Sequence, residues 1–434
     1  MEENMSAVSQ DNIYFGKEVI NRVSFLREDN EFVTSSVLHP STRFIFFENS
    51  NPLVDKESEG KLVILSNGDN QVSDKGGVSK GLFSAGDEWQ QVLSAWSEDN
   101  KNQDMSLRET GKPVFVFLGI EDESVGLDLT HLKSLESSEE KYLDYQGRYQ
   151  GIPYYAVDLS GCGSVRDLVV DHILKNTSVD PSKLFFTYSR NHFFDLGEVN
   201  ASLYSHAKMF VEWISRNRFC PGCGHAVIPV HAGGKLKCTN DTVAEKRSEE
   251  DVTYKCPVRN AKSSNASFPR TDAVVIAAVA STDCTKVLLS LSRRYAQLKM
   301  YACTAGFMEP SETVETAVRR ELWEETGVSC SSVELKMTQP WPFPGNLMIG
   351  CVAYVDFNGS NEVVHLGHDK ELADARWFDV EFLRGLIYDF DNTPNPDSLI
   401  IPQDVSVAYQ LIKSVVDAAP SANSNSSENP SNKL

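Results

Sequence analysis

The sequence lacks a positive charge balance. Its 434 residues include 41 basic and 61 acidic side chains, for a formal net charge of −20. A protein of that sign repels nucleic acid and anionic membranes as a whole. Any phosphate-bearing substrate must therefore be attracted locally, by a metal ion or by a basic pocket.

Long apolar runs and a secretory leader are also missing. The longest apolar run, Ala273–Ala280, falls far short of the roughly 20 residues that cross a bilayer. The opening MEENMSAVSQDN is polar and acidic, unlike a signal peptide. Without such a signal, the nine cysteines are expected to be thiols or metal ligands rather than disulfides.

Composition and periodicity predict two folded regions with a cysteine-rich segment between them. Runs such as STRFIFF and PVFVFLGI, followed by helical spacing at 202–219, predict a mixed, mostly β domain over 14–215. Four of the nine cysteines lie in 216–262. Buried strands such as TDAVVIAAVA and terminal helical spacing predict an α/β domain over 263–417. Residues 1–13 and the Ser/Asn/Pro-rich tail 418–434 are expected to be disordered.

The segment GFMEPSETVETAVRRELWEETGV (306–328) predicts a helix starting near Glu312. Glu321, Glu324 and Glu325 project from one patch, on a different side from the apolar stripe. Hard cations such as Mg²⁺ or Mn²⁺ bind carboxylates together with substrate phosphates. Arg320 is expected to orient these carboxylates by charge-assisted hydrogen bonds.

The alternative for any charge run is a solvated helix face. This segment, however, matches the whole pattern G-x5-E-x7-R-E-U-x-E-E-x-G-U, where U is aliphatic. With average residue frequencies, a chance match is on the order of one in ten million. The segment resembles the Nudix box. That resemblance implies hydrolysis of a nucleoside diphosphate linked to another moiety, on a strand–loop–helix within an α/β/α sandwich.

The cysteine-rich segment predicts a structural zinc ribbon. Cys220 and Cys223 form a Cys-x2-Cys knuckle, and Cys238 and Cys256 supply two further thiols. Four thiolates close a tetrahedral Zn²⁺ site without an open position for water. Disulfide pairing and free thiols are the competing interpretations.

A zinc ribbon before a Nudix domain, followed by QPWPFP at 339–344, resembles the NADH pyrophosphatase branch of the Nudix hydrolases. An aromatic core loop is the alternative for QPWPFP alone. Matches such as YFGKEVINRVSFLR and HDKELADARWFD extend the resemblance to the fungal, peroxisomal form over nearly the whole chain.

The resemblance implies a set of site residues. Catalytic metals would bind Glu321, Glu325, Glu371 and the backbone carbonyl of Ala305, and Glu325 or Glu324 would assist deprotonation of the attacking water. The residues expected to line the dinucleotide pocket are Phe268, Gln339, Pro340, Trp341, Pro342, Phe343, Pro344, Gly345, Asn346 and Ala408.

The implied activity is metal-dependent hydrolysis of NADH, and of NAD⁺, to nicotinamide mononucleotide and AMP. The alternatives are removal of an NAD cap from RNA by the same chemistry and a nucleotide-sensing zinc-ribbon module. The resemblance also implies a homodimer. The terminal Asn432-Lys433-Leu434 resembles a peroxisomal signal read by an import receptor, with the cytoplasm as the alternative location. No membrane association is expected.

Overall fold

The structure is a computed structural model. The residues that it describes are 13–56, 61–68, 81–82, 87–109, 111–135, 137–177, 179–241, 256–259, 261, 266–368 and 370–420. The tail that carries the terminal tripeptide and most of the N-terminal segment predicted to be disordered lie outside these ranges. None of the described helices is both long and apolar enough to cross a bilayer.

Contacts divide the chain into two compact units. The N-terminal unit comprises Phe15–Thr271 and Pro342–Gly345, and the C-terminal unit comprises Met1–Tyr14, Asp272–Trp341 and Asn346–Leu434. The aromatic turn of the QPWPFP segment is thus assigned to the N-terminal unit, although the strands that flank it belong to the C-terminal unit.

The N-terminal unit combines one large sheet with helices. Its helices are α1 (Asn30–Leu38), α2 (Asp87–Asn102), α3 (Leu129–Lys133), α4 (Ser138–Lys141), α5 (Gly163–Asn176), α6 (Arg190–Phe194) and α7 (Glu198–Arg216). Its strands are β1 (Arg43–Glu48), β2 (Asn51–Asp55), β3 (Lys61–Leu62), β4 (Ile64–Ser66), β5 (Val114–Glu121), β6 (Leu143–Tyr145), β7 (Tyr149–Asp158), β8 (Leu184–Phe186), β9 (Val227–Val230) and β10 (Lys235–Cys238). The structure confirms the predicted mixed, mostly β region and the helix that was predicted at its end.

The eight strands β1–β8 form a single sheet with the central order β3-β2-β1-β7-β5. Strands β1 and β7 are parallel, whereas β5 and β7 are antiparallel. Aromatic side chains fill the core. Trp89 of α2, for example, is fully buried and meets Phe44 edge to face at 5.2 Å. Strands β9 and β10 form a separate two-stranded hairpin in the same unit.

The C-terminal unit is a three-layer sandwich, as the resemblance predicted. It contains α8 (Val314–Thr326), α9 (Val380–Tyr388) and α10 (Val407–Ala418), and strands β11 (Asp272–Ser281), β12 (Lys286–Ser292), β13 (Thr304–Phe307), β14 (Ser332–Trp341), β15 (Asn346–Val355) and β16 (Leu372–Asp379). The sheet order is β14-β15-β11-β12-β16, with β13 paired to β11.

Strand β11 shows why the sequence folds into three layers. Its side chains alternate between two cores, because successive residues of a strand point to opposite faces. Ile276 belongs to the core that includes residues of α9 and α10, whereas Val275 belongs to the core that includes residues of α8. The continuous apolar run in β11 is therefore a strand buried on both faces.

Candidate active site and cysteine cluster

Helix α8 begins two residues later than predicted. Thr313 is its N-cap, with an extended backbone and a hydroxyl that accepts a hydrogen bond from the Thr316 amide. Glu312 precedes the helix, after Ser311 at φ 69°. Gly327 ends the helix in the left-handed conformation that glycine adopts without strain. The helix buries Leu322 and its apolar neighbours against the sheet, so the acidic residues are held by a well-defined scaffold.

A carboxylate approaches the backbone at residue 306 so closely that this residue has to be a glycine. A Cβ placed on this residue would lie only 2.0 Å from the carboxyl carbon of Glu321. Glycine is therefore the residue that lets the Glu321 carboxylate reach the backbone of β13. The same strand carries Ala305, whose carbonyl was predicted to be a metal ligand. The structure thus brings the Glu321 carboxylate beside Gly306, the residue that follows Ala305 on this strand.

Arg320 connects the acidic side chains. Its guanidinium donates to both carboxylate oxygens of Glu312, at 2.7 and 3.1 Å. One of its terminal nitrogens also donates to Glu321 at 2.8 Å and to Glu324 at 3.1 Å, and the other donates to the Phe307 carbonyl at 2.8 Å. Arg320 thus makes the charge-assisted hydrogen bonds to these carboxylates that the sequence predicted. The additional anchor on Glu312 was not foreseen.

The carboxylates differ in their electrostatic surroundings. Burial raises the pKa of Glu321, although hydrogen bonds from Arg320 act in the opposite direction. The pKa of Glu312 is lowered by its hydrogen bonds from Arg320. Glu325 is only 6% exposed despite its acidic side chain. A carboxylate buried to this extent must interact with a partner or a cation, which distinguishes the site from a solvated helix face.

The remaining predicted metal ligand, Glu371, lies on the segment that precedes β16. Its backbone carbonyl accepts a hydrogen bond from the Arg293 amide at 3.1 Å. The predicted carboxylates do not all approach one another closely. Within the part of the chain that the structure describes, only the four clustered thiols form a set of three or more candidate ligand atoms within 4.8 Å.

A histidine contact that was not predicted holds this segment to α8. The rings of Trp323 and His368 stack with centroids 4.1 Å apart. The backbone amide of His365 also donates to the Thr326 carbonyl at 2.7 Å. Trp323 occupies an unspecified position of the Nudix box, so no sequence signal pointed to this contact. It ties the chain just before Glu371 to the helix that carries the other carboxylates.

Gln339 has surroundings unlike those of a ligand-facing amide. It is 1% exposed, and its amide nitrogen donates to the carbonyls of Tyr14 and Val405 at 3.0 and 2.8 Å. Its amide oxygen accepts from the Val407 amide at 2.8 Å. These bonds join β14 to the first turn of α10, where Ala408 is also buried. In the structure, the Gln339 side chain therefore binds backbone groups of other segments of the chain.

Asn346 begins the next strand and faces Trp341 across the β14–β15 pair. Its side-chain oxygen is buried and has no hydrogen-bond partner among the described residues. Such an atom is costly unless a donor reaches it. Of the predicted pocket residues in this unit, Asn346 thus presents an acceptor that a ligand would satisfy.

The aromatic turn packs with residues of the N-terminal unit. Phe343 lies parallel to Phe193, with centroids 5.8 Å apart, and the Arg190 guanidinium lies 5.0 Å from the Phe343 ring. Phe193 in turn stacks on Tyr204 at 4.5 Å. In the same unit, Phe268 is 44% exposed. The Phe268 ring is therefore partly exposed, whereas Phe343 is engaged in an aromatic cluster.

The four predicted zinc ligands converge in the structure. The sulfurs of Cys220 and Cys256 are 3.5 Å apart, and those of Cys223 and Cys238 are 3.4 Å apart. All four sulfurs lie within 4.8 Å of one another. Backbone amides of Asn240, Val258 and Arg259 donate to Sγ atoms of the cluster. Four convergent thiols with amide donors fit a tetrahedral metal site.

Residues 269–396 match the NUDIX domain family. The match and the strand–loop–helix around Gly306 together define a Nudix hydrolase, and enzymes of this class use divalent metal ions. The chain is 36% identical to the NAD-capped RNA hydrolase of Saccharomyces cerevisiae over 410 residues, which cover 93% of this chain and 95% of the yeast protein.

Two further relatives carry the same name. The protein of Schizosaccharomyces pombe is 30% identical over 92% of each chain. The protein of Homo sapiens is 30% identical over 92% of this chain and 72% of its own length. The chain therefore belongs to the NADH pyrophosphatase branch of the Nudix hydrolases, as its motifs indicated.

Proposed function

We propose that this enzyme hydrolyses the diphosphate bridge of an NAD moiety. Free NADH and NAD⁺ would yield nicotinamide mononucleotide and AMP, and an RNA carrying a 5′ NAD cap would be cleaved at the same bond. The observation that carries the proposal is the Glu321 carboxylate held against Gly306 and bound by Arg320. This arrangement sets carboxylate oxygens against the strand that carries the Ala305 carbonyl, and oxygen donors of these kinds are what Mg²⁺ and Mn²⁺ prefer.

The carboxylates of Glu321, Glu325 and Glu371 and the carbonyl of Ala305 would hold the divalent ions. Once bound, these ions would neutralise the diphosphate and make water a better nucleophile. Glu325, or its neighbour Glu324, would take the proton from the attacking water. Arg320 would keep the acidic side chains in position, since it binds several of them at once.

The capped-RNA substrate is supported by the names of the relatives, all three of which are NAD-capped RNA hydrolases. The free dinucleotide is supported by the protein's charge of −20, which opposes tight binding of a long polyanion. Both substrates present the same bond to the same residues. They differ only in the group attached to the 3′ oxygen of the adenosine.

The four convergent thiols support a structural Zn²⁺ ion. Because four protein ligands would fill a tetrahedral site, this ion would stabilise the fold and take no part in hydrolysis. The proposed enzyme therefore needs two kinds of metal with separate roles. A homodimer remains a proposal that rests on the resemblance.

Product analysis tests the proposal most directly. The purified protein would be incubated with NADH, NAD⁺, NADPH, ADP-ribose and one NAD-capped RNA, with and without Mg²⁺ or Mn²⁺. We expect nicotinamide mononucleotide and a 5′-phosphorylated adenosine product only when a divalent ion is present. Cleavage that persists without divalent ions, or that releases nicotinamide, would contradict the proposed reaction.

Substitution of Glu325 tests its assigned role. We expect Glu325→Gln to lower kcat for NADH by at least about 100-fold with little change in KM, because the metal–water step is lost while dinucleotide contacts remain. Glu315→Gln is the matched control, since Glu315 is an exposed glutamate of the same helix. Full activity in the Glu325 variant would remove this residue from the mechanism.

A further inference from the structure

A small basic pocket lies beside the cysteine cluster of the N-terminal unit. It has a volume of about 230 Å³, below the roughly 300 Å³ at which pockets for drug-sized ligands begin. Its basic lining consists of Lys235, Lys237, Arg259 and His231, with Gln103 and Ser267 as neutral polar neighbours. Within the described part of the chain, the lining includes no aspartate or glutamate, which sets the pocket apart in a protein of net charge −20.

Three of these cations have neutral partners. The Lys237 ammonium donates to the Gln103 side chain at 2.7 Å, and the Arg259 guanidinium donates to the Cys238 carbonyl at 3.3 Å. The Lys235 ammonium lies 5.3 Å from the centre of the Phe268 ring. Among the described residues, none of the three forms an ion pair with a carboxylate. His231 differs, because it pairs with Glu28 at 3.3 Å.

The local fold explains the cluster. Lys235 and Lys237 are two apart on β10, so they share one face of the strand, while Leu236 and Cys238 turn inward and are buried. Hydrogen bonds from Arg259 and neighbouring amides to the Cys238–Cys256 region keep the third cation close to this hairpin. All three cationic side chains are half-buried, which strengthens their attraction for an anion relative to fully exposed lysines.

We infer that this basic pocket binds phosphodiester groups of the RNA chain that continues from the NAD cap, an inference that rests on the proposed function. Its size and charge fit phosphate groups rather than a whole nucleotide. Phe268 beside it is exposed, and a cationic track next to an exposed aromatic ring is the arrangement by which proteins hold single-stranded nucleic acid. The pocket attracts RNA phosphates locally, although the overall negative charge of the protein repels RNA.

The test compares two double variants of the full-length protein. Lys235→Gln/Lys237→Gln removes two cations of the pocket. Lys133→Gln/Lys175→Gln removes two exposed lysines of the same unit that do not line it. For each protein, kcat and KM are measured with an NAD-capped RNA of ten nucleotides, with NADH and with NADPH. Binding of a fluorescent, uncapped RNA of the same sequence is measured by anisotropy at several salt concentrations.

We expect the pocket variant to raise KM for capped RNA by about tenfold and to weaken binding of uncapped RNA. The slope of log affinity against log salt should become shallower by about 1.4, the value for two lost phosphate contacts on a single strand. Kinetics with NADH and NADPH should match those of the wild type. The control variant should behave as the wild type with every substrate.

Other results overturn the inference. One is an equal loss of activity with NADH and capped RNA. Another is unchanged RNA binding in the pocket variant, or no measurable RNA binding by the wild type. A loss confined to NADPH would assign the pocket to the 2′-phosphate of a dinucleotide instead. If the wild type binds uncapped RNA through these lysines yet leaves the cap intact, the pocket assignment stands and the proposed capped-RNA activity fails.

Discussion

At the scale of single residues, the proposed metal site depends on one arginine and one glycine as much as on its acids. Arg320 binds Glu312, Glu321 and Glu324 and also the Phe307 carbonyl, so one cation offsets the repulsion of several carboxylates. Gly306 leaves the space that the Glu321 carboxylate occupies. The acids are thus held in place by residues that need not touch the substrate.

The Gly306 contact leads to a prediction. Gly306→Ala should displace the Glu321 carboxylate, because the new Cβ would lie 2.0 Å from its carboxyl carbon. We expect kcat/KM for NADH to fall by roughly 100-fold, a loss that a misplacement of about 1 Å can cause. Gly163→Ala is the control, because no atom lies within 4 Å of its added Cβ. Near-normal turnover in the Gly306 variant would argue against a role for the Glu321 position.

At the scale of elements, Gln339 connects β14 to α10. Replacing it with methionine would leave the carbonyls of Tyr14 and Val405 and the Val407 amide without their side-chain partner. We expect Gln339→Met to lower the free energy of unfolding by about 3 kcal/mol, since unsatisfied buried groups each cost about 1–3 kcal/mol. Urea denaturation of the full-length protein measures this change.

The control for this prediction is Gln410→Met, which removes an exposed hydrogen bond from α10 to the Asp404 carbonyl. We expect that variant to change the free energy of unfolding by less than about 1 kcal/mol. A Gln339 variant of normal stability but with a much higher KM for NADH would instead make Gln339 a substrate contact, as the resemblance implied.

The cysteine cluster leads to a second prediction at this scale. Cys256 joins the cluster from a point 36 residues beyond Cys220. Cys256→Ser should therefore reduce bound zinc, measured by elemental analysis, and lower the melting temperature by several degrees, because metal binding contributes folding free energy. Cys330→Ser, which changes a thiol outside the cluster, should alter neither quantity. Full zinc retention after loss of Cys256 would rule out the four-thiolate site.

At the scale of the whole molecule, net charge and local charge act in opposite directions. The chain carries −20 overall, yet Lys235, Lys237 and Arg259 of the basic pocket form no ion pair with a carboxylate of the described residues. We expect kcat/KM of the wild type for NADH to change by less than about twofold between 50 and 200 mM salt. For capped RNA, log kcat/KM should fall with log salt with a slope of about −1.4 or steeper.

Steady-state kinetics at constant free Mg²⁺ measure both slopes, with NADH as the internal control for effects of salt on the enzyme itself. Equal slopes for the two substrates would mean that no cation of the protein contacts the RNA chain. A steeper slope for capped RNA would show contacts beyond the dinucleotide.

Local patterns in the chain predicted most of the fold. The apolar run in β11 became a strand buried on both faces, and the glutamate-rich segment became helix α8. The Arg320 contact with Glu324 was also predictable from spacing, because residues four apart on a helix lie close together. The exact start of α8 was not predictable in this way, since Ser311 and Thr313 adopt turn and cap conformations before it.

The order of residues was enough to specify the periodic elements, the carboxylate spacing and the Cys-x2-Cys knuckle, because each depends on residues a few positions apart. The three-dimensional fold was needed to show that the Gln339 side chain binds backbone groups of residues as distant as Tyr14 and that the lysines and arginine of the basic pocket have neutral partners. The convergence of Cys256, which the sequence predicted as a ligand, with the other three thiols also depended on the fold. The physical reason is that burial and ion pairing depend on which distant segments meet in space, and a local pattern carries no information about that.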